Sequence, residues 1–242
     1  MEKVYWNPWH GCRKISEGCQ NCYMFEQDAS YGVSSKPRVV KTKFDLPIAH
    51  KRDGSFKLPG GTIVPTCFTS DFFLEDADSW RDSAWDVIRH RPDLTFFIIT
   101  KRVHRIYECL PNDWGNGWDN VIINVTAENQ RRADERIPIL LDLPIKVRGV
   151  AVAPILESVD LQKYLATGKI NFVSVGGESG SKARPCNFDW MQSLYTQCKL
   201  FGVEFNIHQT GTNFIKDNRC YRLSHDVEYT QAAKALELLR NS

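Results

Sequence analysis

Thr95-Phe96-Phe97-Ile98-Ile99-Thr100 is a run of β-branched and aromatic residues, and Val121-Ile122-Ile123-Asn124-Val125-Thr126 repeats it one connecting segment later. Runs this continuously apolar suit strands buried on both faces, as in a parallel sheet. Outward from them, the same pattern predicts strands at Val64 to Thr69, Val147 to Ala153, Asn171 to Val175 and Val203 to His208. Helical patterns lie between: Asp78 to Arg89, Val103 to Cys109, Gln130 to Leu141, Leu161 to Ala166 and Asp189 to Phe201, with a last one from Tyr229 to Arg240. The alternation predicts an α/β fold with right-handed crossovers. Six strands fit a partial or complete parallel (β/α) barrel.

The 242 residues, 42% hydrophobic and 25% charged, are enough for one sizeable core. No repeat or linker divides them, so residues 1–242 read as a single domain, with 1–61 a cap or irregular first unit that opens on a short strand at Val4 to Trp6. Met1 to Trp6 lacks the apolar core of a signal peptide, and no apolar run is as long as a membrane span. A cytoplasmic protein without a membrane partner is expected.

Residues 1–61 hold Cys12, Cys19 and Cys22 in Trp6-Asn7-Pro8-Trp9-His10-Gly11-Cys12-x6-Cys-x2-Cys22-Tyr23. Three clustered thiolates can hold a metal centre and leave one position open. Structural zinc prefers four protein ligands, whereas a cubane iron–sulfur cluster on three cysteines keeps one iron free. Zinc is the alternative, with His10 as a fourth ligand. Eight cysteines could form disulfides in a secreted chain, but a reducing compartment favours metal. Cys67, Cys109, Cys198 and Cys220 are scattered and read as buried small hydrophobes.

Net charge is only +2, yet the basic residues are unevenly placed. Lys36, Arg38, Lys41, Lys43, Lys51, Arg52 and Lys57 face two acids, Asp45 and Asp53, in one stretch, against 24 basic and 27 acidic residues elsewhere. This stretch is either a phosphate- or carboxylate-attracting patch or a solvated loop.

Polar residues gather just after the strands: Ser70 and Asp71, Lys101 and Arg102, Glu128 and Asn129, Glu157, Gly177 to Ser179, His208 and Gln209. That edge is the active face of a parallel barrel, which makes Asp71, Lys101, Glu128 and His208 the candidate catalytic residues. Asp and Asn there also suit helix caps, Asp76 or Asp78 above all. Val175-Gly176-Gly177-Glu178-Ser179-Gly180 is a buried strand running into a glycine turn that would let backbone groups approach a ligand. Lys182 and Arg184 then pair with a carboxylate or phosphate, or face solvent.

The motifs Gly11-Cys12, Gly18-Cys19, Asn21-Cys22-Tyr23, Ser70-Asp71-Phe72-Phe73, Thr100-Lys101-Arg102, Val125-Thr126-Ala127-Glu128-Asn129-Gln130, Ala133-Asp134-Glu135-Arg136-Ile137-Pro138, Val175 to Gly180 and Ala183-Arg184-Pro185 resemble, in this order, those of the phage-associated three-Cys-motif proteins. That family is thought to be related to radical S-adenosylmethionine enzymes. The resemblance implies a [4Fe–4S] cluster on Cys12, Cys19 and Cys22, with S-adenosylmethionine on its open iron. It also implies that Gly176, Gly177, Glu178, Ser179 and Arg184 contact the cofactor, because Gly176 to Glu178 look like the glycine-glycine-glutamate element of that superfamily. Two departures are plain: the first cysteine spacing is six where the superfamily has three, and the glycine-glycine-glutamate element follows a late strand instead of an early one.

The leading expectation is an iron–sulfur, radical S-adenosylmethionine-like enzyme acting on an unknown substrate, a nucleotide or nucleic acid among them, with an external electron donor and a partner enzyme. The alternatives are a zinc protein and a nucleic-acid-binding accessory module. In the latter, metal only folds the cap, the basic stretch binds a backbone, and Trp6, Trp9, Tyr23, Phe25 and Tyr31 stack bases or pack round the metal.

Overall fold

The computed structural model describes residues 4–241. In chain order the elements are β1 (Trp9–His10), α1 (Tyr23–Ser30), β2 (Arg38–Val39), β3 (Ile63–Thr66), α2 (Asp78–Arg89), β4 (Thr95–Thr100), β5 (Val121–Thr126), α3 (Gln130–Asp142), β6 (Val147–Val152), α4 (Gln162–Leu165), β7 (Phe172–Gly176), β8 (Cys186–Asn187), α5 (Phe188–Phe201), β9 (Glu204–Gln209), β10 (Asn213–Lys216), β11 (Arg219–Arg222) and α6 (His225–Arg240). Six strands make one parallel sheet in the order β3-β4-β5-β6-β7-β9.

The outer strands β3 and β9 do not pair with each other, so the barrel is partial. Its curl is legible in one contact. Phe97 on β4 and Phe172 on β7 are three strand spacings apart, about 14 Å in a flat sheet at ~4.8 Å each, yet their rings stack at 6.0 Å. The side chains on that face lean together over a concave surface. Gly149 lies between them in register with Phe172 and Asn124; a Cβ there would meet the Phe172 ring at 2.5 Å. The opposite face carries Phe96, Ile98, Ile123, Val150, Val173 and Phe205, all buried, against which α3, α5 and α6 pack.

The N-terminal unit is bound to this sheet along its first edge. Trp6 bridges to Thr66 in parallel, and its indole N–H donates to the Phe44 carbonyl at 2.8 Å. Trp6 and Trp9 are fully buried. Burying a large apolar side chain contributes up to about 3 kcal/mol, so these two tryptophans fix the unit's position and have no face left for a base. The base-stacking expectation fails for them, while Tyr23 and Tyr31 are exposed.

Other expectations need correction. Val103 to Cys109 is two separate 3-10 turns, Val103–Arg105 and Tyr107–Cys109, because the segment is too short to nucleate an α-helix. Neither Asp76 nor Asp78 caps α2. Its cap is Ala77 without a side-chain bond; Asp76 instead pairs with Arg13 and Asp78 with Arg81 and Arg105. Asn129 does cap α3, accepting from the Arg132 amide at 2.9 Å. Cys220 is exposed on β11, whereas Cys67, Cys109 and Cys198 are buried as expected.

Candidate functional site: a cysteine loop laced to the strand ends

Cys12, Cys19 and Cys22 lie on the loop between β1 and α1, all partly exposed. The loop crosses the C-terminal ends of the sheet strands and is bonded to them in turn. Next to β3, Ser70 Oγ donates to the Gly11 carbonyl at 2.5 Å and the Gly11 amide to the Thr69 carbonyl at 3.1 Å. After β4, Arg102 donates through Nη2 to the Arg13 carbonyl at 2.9 Å and through Nη1 approaches Cys12 Sγ at 3.9 Å.

Asp71 organises that corner. It accepts from Thr100 Oγ1 (2.7 Å), the Phe73 amide (3.0 Å), the Lys101 amide (3.1 Å) and Arg102 Nη1 (3.3 Å). Arg81, buried in α2, donates to the Phe72 and Leu74 carbonyls and so holds the Asp71 loop in place.

After β5, Glu128 is fully buried. It takes Ser16 Oγ and the Gly18 amide (3.3 Å) on Oε1, and Arg136 Nη1 (2.8 Å) on Oε2. Burial opposes its charge, but Lys101 and Arg136 outweigh burial and hold its pKa below the ordinary glutamate value. Gly18 must be small, since a Cβ would stand 3.1 Å from this carboxylate. Beside it, Glu17 pairs with Arg132 at 2.9 Å, a bond that brings its pKa down to about 2.

After β7, Glu178 accepts from Asn21 Nδ2 (3.2 Å) and from the Arg184 amide and guanidinium (2.9 Å each). Arg184 Nη2 also donates to the Glu17 carbonyl at 2.9 Å. Burial again opposes the charge on Glu178, and Arg184 and Asn21 overcome it.

The strand-end residues singled out in the sequence are therefore placed as follows. Asp71, Lys101, Glu128, Glu178 and Arg184 all stand against the cysteine loop. His208 is on β9, its ring 3.4 Å from where a Cβ on Gly176 would lie. Gly176 and Gly177 face their own chain: the Gly176 carbonyl accepts from the Ile155 amide, the Gly177 amide bonds the Gln209 carbonyl, and its carbonyl takes Gln209 Nε2. A Cβ on Gly177 would come within 2.3 Å of the Thr210 carbonyl. Ser179 Oγ donates to Glu228 and accepts from Gln209. Ser16, Asn21 and Arg136 also belong to the site. Their partners lie more than a hundred positions away for the first two, so only their nearness to Cys19, Cys22 and Glu128 could have marked them.

The three thiols lie among cationic side chains. Cys19 is within electrostatic reach of both Cys12 and Cys22, Arg102 acts on Cys12, and Lys101 acts on Cys22. Such cations stabilise thiolates. Among the described residues, no group of three or more His, Cys, Asp or Glu side chains is already disposed to hold a metal ion. The thiols make local contacts instead: Cys12 with the Arg13 carbonyl at 3.6 Å, Cys19 with Ser16 at 3.9 Å. Burial, reinforced by Asp71, pushes the Cys12 thiol up to about 11, and burial raises Cys22 as well. His10 Nε2 is held by Asp28 at 3.0 Å, which Ser35 also bonds.

No helix among the described residues is long and apolar enough to cross a membrane. No curated protein and no solved structure matches the chain. A family model does match it, over residues 2–237, and the chain therefore belongs to the family described as proteins of unknown function, DUF5131.

Proposed function

We propose that the chain is an iron–sulfur enzyme of the radical S-adenosylmethionine-like type, related to the three-Cys-motif proteins that its motifs resemble. Cys12, Cys19 and Cys22 ligate a [4Fe–4S] cluster, and S-adenosylmethionine binds at the position three cysteines leave open. The observation that carries this reading is the lacing of the cysteine loop to the strand ends of β3, β4, β5 and β7. A loop folded round a purely structural metal needs no such anchorage. This one is held over the edge where parallel sheets place their ligands.

When bound, the cluster and cofactor supply one-electron chemistry, for which an external donor provides the electron. The chain's own residues position and balance. Lys101 and Arg102 offset the thiolate charge; Asp71 aims Arg102; Glu128, Glu178 and Arg184 fix the loop. Gly176 to Ser179 wall the cofactor side, next to His208. Lys101 makes no ion pair with a described residue; its charge acts on Glu128 and Cys22. On the concave face, Asn124 Oδ1, Thr126 Oγ1 and Ser174 Oγ are buried without a hydrogen-bond partner among the described residues, a cost of roughly 1–3 kcal/mol each that a polar ligand would relieve. A cytoplasmic setting keeps the thiols reduced.

The alternative is zinc on the same three cysteines with His10. Anaerobic reconstitution with iron and sulfide decides between them. About four irons and four acid-labile sulfides per chain are expected, the content of one cubane. Stoichiometric zinc without sulfide, from cells given iron, would overturn the proposal. Calorimetry with S-adenosylmethionine should then show binding only to the cluster-loaded protein.

A further inference from the structure

On the outer side of β1 and β2 an open cleft of about 520 Å³ is lined by Asn7, His10, Arg38, Lys41, Lys43 and Thr69, with Val39 and Val40 supplying apolar wall. Arg38, Lys41 and Lys43 are exposed. Lys41 and Lys43 form no ion pair with a described carboxylate, and the same holds for Lys36, Lys51, Arg52 and Lys57 further along the segment; Arg38 donates to the Ser34 and Lys36 carbonyls and lies within electrostatic reach of Asp28. This is unlike the cysteine loop, where Arg13, Arg102, Arg132, Arg136 and Arg184 all have acidic partners.

We propose that this cleft binds the phosphate backbone of a nucleic-acid strand. Lys41 and Lys43, without acidic partners, and Arg38 beside them attract a polyanion to a concavity, and their release of its counterions drives binding. The neutral side chains suit sugar and phosphate oxygens: Asn7 accepts from the Thr69 amide through Oδ1 at 3.1 Å, which leaves its amide N–H groups for an acceptor. Val39 and Val40 offer contact to a sugar or base. A concave shape does not fit a planar membrane surface. In the sequence, His10 on the cleft wall is followed directly by Gly11 and Cys12. The inference rests on the proposed function only in making the strand a substrate; binding is measured without turnover.

The test is fluorescence anisotropy of a labelled single-stranded oligonucleotide, as DNA and as RNA, with the full-length chain between 50 and 200 mM salt. The triple variant Arg38→Gln, Lys41→Gln, Lys43→Gln is expected to bind at least ~10-fold more weakly at 100 mM and to lower the salt slope by about 2, at ~0.7 per contacted phosphate. A control of equal charge, Lys199→Gln, Arg219→Gln, Lys234→Gln, should bind like the parent. Circular dichroism melts confirm that both variants fold. Equal weakening by the control, an unchanged slope in the cleft variant, or competition by adenosine monophosphate or polyglutamate as strong as by the oligonucleotide would each overturn the proposal. Loss of binding with an intact cluster would leave the enzyme reading standing, and binding without a cluster would leave the cleft standing.

Discussion

The cysteine loop and the segment from Lys36 to Lys57 are neighbours in sequence and opposite in electrostatics. In the first, charges meet partners from distant strand ends, several of them buried: Glu128 with Arg136, Asp71 with Arg102, Glu178 with Arg184. In the second, seven exposed cations form no ion pair with a described carboxylate. The difference separates two uses of charge. Internal pairing costs desolvation and returns a fixed geometry, so it belongs where a loop must be held still. Unpaired surface charge fixes nothing and keeps its field for something arriving from solution.

The largest expected effect falls on the loop. Replacing Cys12, Cys19 or Cys22 by alanine should abolish cluster assembly, with iron and sulfide falling from about four each to near zero, while Cys109→Ala keeps both. Cluster retention in all three single variants, read by iron analysis and absorbance, would erase the distinction between the two regions.

Next is Glu128→Ala, which leaves Arg136 as a buried cation without its carboxylate. It should cost about 3–5 kcal/mol in a denaturant titration. The pH dependence follows from the same pair. The pKa of Glu128 and that of Glu178 are lowered from the ordinary 4.5, so their contribution is complete above that value and is lost as pH falls through the lower folded value. The unfolding midpoint should hold steady down to about pH 4.5 and decline below it, less steeply in Glu128→Ala. An unchanged acid limb in the variant would show that the pair does not hold the loop.

Gly177→Ala should cost about 1–3 kcal/mol by overpacking against the Thr210 carbonyl and Cys186, and it should loosen the Glu178 anchor that follows. Smallest is the paired change Lys41→Gln, Lys43→Gln, expected to stay within about 0.5 kcal/mol of the parent in thermal melts, as exposed substitutions without partners do. A large loss there would mean that the basic segment is structural after all.

The sheet was legible in the sequence because its strands are buried on both faces. Thr95–Thr100 and Val121–Thr126 appear with their expected ends, and the other four lie within a few residues. What escaped was short. β1, β2 and β8 have two residues each, below any period, and α1 has only eight. The β10–β11 hairpin had a signal that went unread: Asp217-Asn218, both at positive φ, form its turn. The cysteines and the strand-end polar residues of the site were also visible. Their relation was not, because Ser16 with Glu128 and Asn21 with Glu178 pair across 112 and 157 positions, and no local pattern records a partner so far away.

Those separations also set an order in time. A ribosome delivers Cys12, Cys19 and Cys22 first and Glu128, Glu178 and Arg184 long afterwards; the bond from Arg184 back to the Glu17 carbonyl spans 167 positions. Domains condense only when their distant contacts have been made. During synthesis the thiols are therefore carried on an untethered leader, open to oxidation or to the wrong metal. Their seat against the strand ends is complete only once the seventh strand and the turn beyond it have folded, so on the proposed reading a cluster is loaded late in the making of this protein.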